Sequence, residues 1–157
     1  MVQIPLGAPE DATNKFCSLR NLNNESDVEQ FFVVRLLAYL GYTDDYVLTK
    51  AMLKEETIGK GKRQQSYAPD YIGNADRRKT RPLLIVDAKH PRRSAEEGGK
   101  DAQDYAAKVH RHLEDPKPEI YCMGTNGTRT VVRHFDRDKT EFDLLFEEFV
   151  DSNEKFK

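Results

Sequence analysis

A chain of 157 residues can form one domain with a sizeable core. One third of its residues are charged, yet 25 lysines and arginines face 27 aspartates and glutamates. The net charge of −2 excludes a bulk basic footprint for nucleic acid, so any contact with a polyanion has to come from a local basic surface. No apolar run approaches the length of a membrane span, and no basic-then-apolar N-terminal segment reads as a signal peptide. The two cysteines, Cys17 and Cys122, have no metal-ligand spacing, which predicts free thiols in a reducing, cytoplasmic setting.

Residues 1–22 read as a loosely held lead-in containing Pro5, Gly7 and Pro9, with a short turn of helix near Ala12 to Leu19. Asn23 and Asn24 are N-cap candidates for a helix that runs to about Leu40. Val28, Phe32, Leu36 and Leu40 recur every four residues there, and Gly41 follows as a C′ residue. Glu25 and Glu29 lie one turn apart on the same stripe, where a lone carboxylate needs a partner. Tyr46 to Met52 alternates like a strand. Lys54 to Ser66 is a polar loop whose Gly-Lys-Gly-Lys lacks the P-loop spacing.

Tyr67 to Gly73 is a second strand, with Pro69 at its start or on an edge. Asn74 to Arg81 is a basic turn, and Pro82 to Lys89 is a third strand, closing a three-stranded meander. After a loop over Pro91 to Gly99, a helix from about Lys100 to Leu113 carries Ala102, Tyr105, Ala106, Val109 and Leu113 on one side. It is long enough to return the chain to a fourth strand, Glu119 to Gly124, parallel to the third. Asn126-Gly127 is a hairpin signal leading to a fifth strand, Thr130 to Phe135. Lys139 to Val150, with Phe142, Leu145, Phe146 and Phe149, reads as a final amphipathic helix, and 151–157 as a tail or linker stub. The expected architecture is α/β: a mixed central sheet flanked by helices, in a domain over 23–150.

The chemistry gathers at the third strand. Leu83 to Val86 is an apolar run suited to a strand buried on both faces. Asp87 and Lys89 follow it, two residues apart and therefore on one side of the strand. Asp70 sits in the neighbouring strand. Two carboxylates meeting across strands make a hard, oxygen-rich site for a divalent cation, and a lysine beside them can orient water or offset negative charge.

Pro69-Asp70 followed by Asp87-Ala88-Lys89 resembles the PD-(D/E)xK nuclease signature. The wider pattern is similar to the N-terminal nuclease domain of type I restriction enzyme R subunits. It includes Glu25-Ser26-Asp27-Val28-Glu29 leading to Leu40-Gly41-Tyr42, Ala102-Gln103-Asp104-Tyr105-Ala106 and Thr125-Asn126-Gly127, and covers roughly residues 22 to 135. The resemblance implies a restriction-endonuclease-like αβββαβ core and Mg²⁺-dependent hydrolysis of DNA, with Mn²⁺ able to substitute. Asp70, Asp87 and the Ala88 backbone carbonyl are then the metal ligands and Lys89 the group that positions the attacking water. A helix glutamate completes the site; burial favours Glu29, and the spacing to Leu40-Gly41-Tyr42 favours Glu25.

The DNA-contact candidates are Gln103, Arg92, Arg93 and Asn126. R subunits carry a Gln-x-x-x-Tyr element, whereas here the tyrosine, Tyr105, follows Gln103 by two, which leaves packing against the sheet as its alternative role. By the same resemblance the partners are DNA, a translocase region, and methyltransferase and specificity subunits, none of them within this chain. Two other readings remain: a non-catalytic DNA-binding or assembly module on the same fold, and an interaction domain in which Asp70, Asp87 and Lys89 point to different places.

Overall fold

The first well-formed element of the computed structural model, which describes residues 12–50, 52 and 68–156, is a helix built in three segments. Glu25–Asp27 is α-helical, Val28–Val33 is π-helical and Val34–Tyr39 is α-helical again; together they form α1. The Asn24 side chain caps it by accepting from the Asp27 amide at 2.9 Å. It ends at Gly41, whose φ of +97° is the left-handed C′ geometry that favours glycine. Val28, Phe32, Val33, Leu36 and Leu37 form its buried face.

Six strands follow: β1 (Val47–Thr49), β2 (Tyr71–Asn74), β3 (Pro82–Ala88), β4 (Tyr121–Thr125), β5 (Arg129–His134) and β6 (Thr140–Leu145). They lie side by side in chain order, giving one mixed sheet. β3 and β4 are parallel, joined through α2 (Ala95–His110), and every other neighbouring pair is antiparallel. This is the expected α/β class, with the meander, the parallel return and the hairpin all present.

The sheet is covered on both faces. Ala102 and Ala106 of α2 pack on Ile72, Ile85, Ile120 and Cys122. The α1 face packs on Leu84, Val86, Ala88 and Met123. Leu84, Val86 and Ala88 thus alternate with Ile85 between two cores, as the period-2 geometry of a strand requires.

Four sequence expectations need correction. Lys139 to Val150 is not a helix: it forms edge strand β6 and a 3-10 turn, Phe146–Glu148. Its aromatic spacing imitates a helix, but pairing with β5 prevails, burying Leu144 and leaving Phe142 52% exposed. Second, α2 starts at Ala95, with Ser94 as its cap, rather than at Lys100. Third, Ala12 to Leu19 forms no helical turn; Thr13 bridges to Ser18, and a 3-10 turn runs over Leu19–Asn21.

Finally, neither described terminus is loose. Phe16, Leu19 and Leu22 are in the core, and Phe156 stacks on Tyr39 with ring centroids 5.3 Å apart. The expected loop at Lys54 to Ser66, the start of the second strand at Tyr67 and residues 1–11 of the lead-in lie outside the described residues. No helix among the described residues is long and apolar enough to cross a membrane.

Candidate metal centre

The centre forms where β3 ends. The Asp70 amide donates to the Val86 carbonyl at 3.0 Å, which fixes the residue before β2 against the C-terminal end of β3. Asp70 Oδ2 then accepts from the Ala88 amide at 2.7 Å. Ala88 thus contacts Asp70 through its N–H, while its carbonyl, which the resemblance implied as a metal ligand, belongs to the last residue of β3. Lys89 is held by its own amide, donating to the Thr125 carbonyl of β4 at 2.8 Å. Asp70 and Asp87 are each 3% exposed and Lys89 is 9% exposed.

Helix α1 adds two further acids. Oxygens of Glu25, Glu29 and Asp70 lie within 4.8 Å of one another. Both glutamates therefore lie beside Asp70. The π segment Val28–Val33 carries Glu29, a helix distortion frequent at functional sites. Asp87 stands beside this triple, outside its mutual distance, but near enough that the charge on Asp70 acts on it.

The electrostatics follow from crowding acids where little water reaches. Burial, then repulsion from Asp70 and Glu25, pushes the Glu29 carboxyl up to about 7, with Lys50 opposing. Burial and the Asp70 charge push Asp87 up to about 6, with Lys89 opposing. Lys89 Nζ is 3.1 Å from Asp87 Oδ2, an ion-pair distance, yet Oδ2 has no hydrogen-bond partner among the described residues. The directed bond of Lys89 goes to Asp101 Oδ2 of α2, at 2.9 Å. Burial works against the Lys89 ammonium, but its hydrogen bond to Asp101 and its ion pairing with Asp87 outweigh this and raise its pKa. A second lysine, Lys50, 41% exposed, approaches Asp70 Oδ1 to 3.7 Å.

The donor set fits Mg²⁺ or Mn²⁺. The donors are carboxylate oxygens, burial and mutual repulsion raise the pKa of two of the acids, and the buried Asp87 Oδ2 lacks a hydrogen bond among the described residues. Asp70, Asp87, Glu25 and Glu29 would hold the ion. Glu25, Glu29 and Asp70 are the one group of three such potential ligands clustered within 4.8 Å of one another among the described residues.

The expected DNA contacts fare differently. Gln103 does not reach Lys89: its Nε2 donates to the carbonyls of His134, Phe135 and Arg137 at 3.2, 3.1 and 2.9 Å. Two helical residues turn through about 200°, so with Asp101 facing Lys89, Gln103 faces elsewhere. Asn126, 8% exposed, is likewise committed to the fold. Its Oδ1 accepts from Thr128 N, Thr128 Oγ1 and Arg129 N, and its Nδ2 donates to the Arg93 and Pro91 carbonyls. It closes the β4–β5 turn, where Gly127 has φ +86°, and ties that turn to the loop after Lys89.

Arg92 and Arg93 are both exposed on the loop after Lys89, and Arg93 pairs with Glu97. Tyr105 packs with the α2-side core. The basic turn at Arg77 to Arg81 lies at the opposite end of β3 from Asp87, roughly 20 Å away at the rise of a strand. Sequence reasoning missed Lys50 and Asp101. Lys50 had a usable signal, a cation at the end of an expected strand beside Asp70; Asp101 resembles any polar residue near a helix start.

No family model, curated protein or solved structure matches this chain.

Proposed function

We propose that the chain is a divalent-metal-dependent endonuclease domain that hydrolyses DNA phosphodiester bonds on a restriction-endonuclease-like core. The single observation that carries this reading is the convergence of Asp70, Asp87 and Lys89 at one rim of the sheet, joined by Glu25 and Glu29. The element order of helix, three-stranded meander, helix and parallel strand accords with an αβββαβ core. An interaction domain with chance motifs would scatter these side chains.

Bound Mg²⁺ would supply charge neutralisation at the scissile phosphate and a more acidic water. The carboxylates of Asp70 and Asp87 would hold that ion, together with Glu25 and Glu29 from α1. The Lys89 ammonium presents its protons to the attacking water or to a non-bridging phosphate oxygen, where negative charge grows in the transition state. Lys50, at the exposed margin, meets the phosphate backbone, which supplies sequence-independent attraction. By the resemblance to R subunits, sequence choice and translocation come from specificity, methyltransferase and motor components outside this chain, in the cytoplasm.

The test is nicking of supercoiled plasmid in Mg²⁺ or Mn²⁺ by the wild type, Asp87→Asn and Lys89→Ala. The expected result is metal-dependent nicking that falls by at least about 100-fold in each variant, the scale of losing one electrostatic contact to the transition state. Nicking unaffected by both substitutions would remove these residues from the chemistry. DNA binding without any nicking would favour the non-catalytic module.

A further inference from the structure

The Lys89 ammonium stands between two carboxylates, and they are not equivalent. Asp87 Oδ2 is close at 3.1 Å but receives no directed hydrogen bond, whereas Asp101 Oδ2 accepts one at 2.9 Å. Asp101 is borne by α2, which is seated on the sheet by backbone-to-backbone contact. A Cβ added at Gly98 would come within 2.8 Å of the Asp87 carbonyl oxygen, so the helix rests directly on the strand that bears the acid. Asp101 itself is 38% exposed while Lys89 is nearly buried, and the Asp101 side chain accepts no other hydrogen bond among the described residues. A long, flexible lysine stem needs such an anchor, because the ammonium otherwise settles on the nearest carboxylate.

We infer that Asp101 is a positioning residue, holding the Lys89 ammonium toward α2 so that Asp87 Oδ2 stays open to a divalent cation. This rests on the nuclease reading of the centre. Without Asp101 the ammonium has one partner left, Asp87, and competes with the cation for the same oxygen. Asp101 therefore acts on metal binding and on turnover through Lys89 alone, touching neither metal nor DNA. Two effects follow from its removal. Metal binding weakens, and nicking loses kcat with little change in KM for DNA.

The test is a double-mutant cycle read by Mn²⁺ binding, from the EPR signal of the free ion, on wild type, Asp101→Asn, Lys89→Met and the double variant. The expected result is that Asp101→Asn weakens Mn²⁺ binding roughly fivefold, within the range of couplings between residues in contact, and has no further effect once Lys89 is Met. Asp101→Glu is expected to restore binding and kcat. An Asp101→Asn effect of equal size in both backgrounds would mean that the charge of Asp101 acts on its own, and would overturn the inference. So would an Asp101→Asn protein that binds Mn²⁺ as the wild type does. Both of those outcomes leave the nuclease reading standing, whereas a wild type that binds no Mn²⁺ overturns the two together. Thermal melts run alongside separate positioning from folding: a loss that Asp101→Glu cannot rescue and that follows a lowered Tm counts against the inference.

Discussion

Gly124 is where helix and sheet approach most closely, and Gly124→Ala is the most demanding test of that packing. The residue is the parallel partner of Asp87 across β3 and β4. A Cβ there would run into the Ala95 carbonyl oxygen and the Gly99 amide nitrogen, and come within 2.8 Å of the Gly98 carbonyl carbon. Carbon atoms pack at about 3.5–4.0 Å, so α2 would have to lift by roughly 1 Å. Overpacking of side chains costs about 1–3 kcal/mol and more where neighbours cannot yield. Here every obstructing atom is backbone, which puts the cost at about 3 kcal/mol or above.

For a domain of this size that corresponds to a fall in Tm of roughly 6–12 °C. Nicking should fall further than stability, because lifting α2 carries Asp101 away from Lys89. Gly41→Ala is the control: its φ is +97° but nothing lies within 4 Å of the added Cβ, so only left-handed strain of about 1–2 kcal/mol applies. Urea unfolding and calorimetry of both variants decide it. A Gly124→Ala protein as stable as the wild type, or less perturbed than Gly41→Ala, would refute the close helix–sheet contact.

Asn126→Ala should cost about 2–3 kcal/mol in urea unfolding, since it strands a buried turn whose groups bond to that side chain; a change under about 0.5 kcal/mol, typical of an uninvolved surface site, would contradict its role as the tie between turn and loop. Glu29 and Asp87, raised to about 7 and about 6, hold protons more tightly folded than unfolded. Their contribution therefore favours the metal-free fold at low pH and is lost as pH rises from about 4 through 7. Ca²⁺ should accordingly raise Tm more at pH 8 than at pH 5.5, and an equal shift at both would oppose the acid cluster as the binding site. Cys17 and Cys122 are buried, with thiols pushed up to about 11 and about 12 by burial, so neither should react with a disulfide reagent at pH 8 until denaturant is added; prompt native-state reaction would contradict their burial.

The parts of this fold that sequence could supply are those set by local pattern. Val28, Phe32 and Leu36 announced α1, Leu83 to Val86 announced β3, and Asn126-Gly127 announced the hairpin. The misses have physical causes. Gly98 and Gly99 fell within the expected loop, yet they lie in the first turns of α2, because a helix that rests on a strand cannot carry side chains at the contact. Phe142, Leu145, Phe146 and Phe149 have helical spacing, but β5 needed an edge partner and pairing decided the outcome.

At the candidate centre, Asp87 and Lys89 were nominated by their spacing on one strand and Asp70 by its place in the next, while the helix glutamates came from the motif resemblance. The Lys89–Asp101 bond could not, because which face α2 turns to β3 depends on packing and not on any motif. Gln103, the residue that family pattern favoured, sits two positions on and is spent on the carbonyls at the end of β5.

A crystal of the protein soaked in Mn²⁺ and measured at the manganese edge tests the central claim most directly. The account predicts an anomalous peak among the oxygens of Asp70, Asp87, Glu25 and Glu29, about 2.1–2.3 Å from an Asp70 oxygen by the usual spacing of hard cations to carboxylates. Density elsewhere, or none at that rim while the four acids stand free, would contradict it.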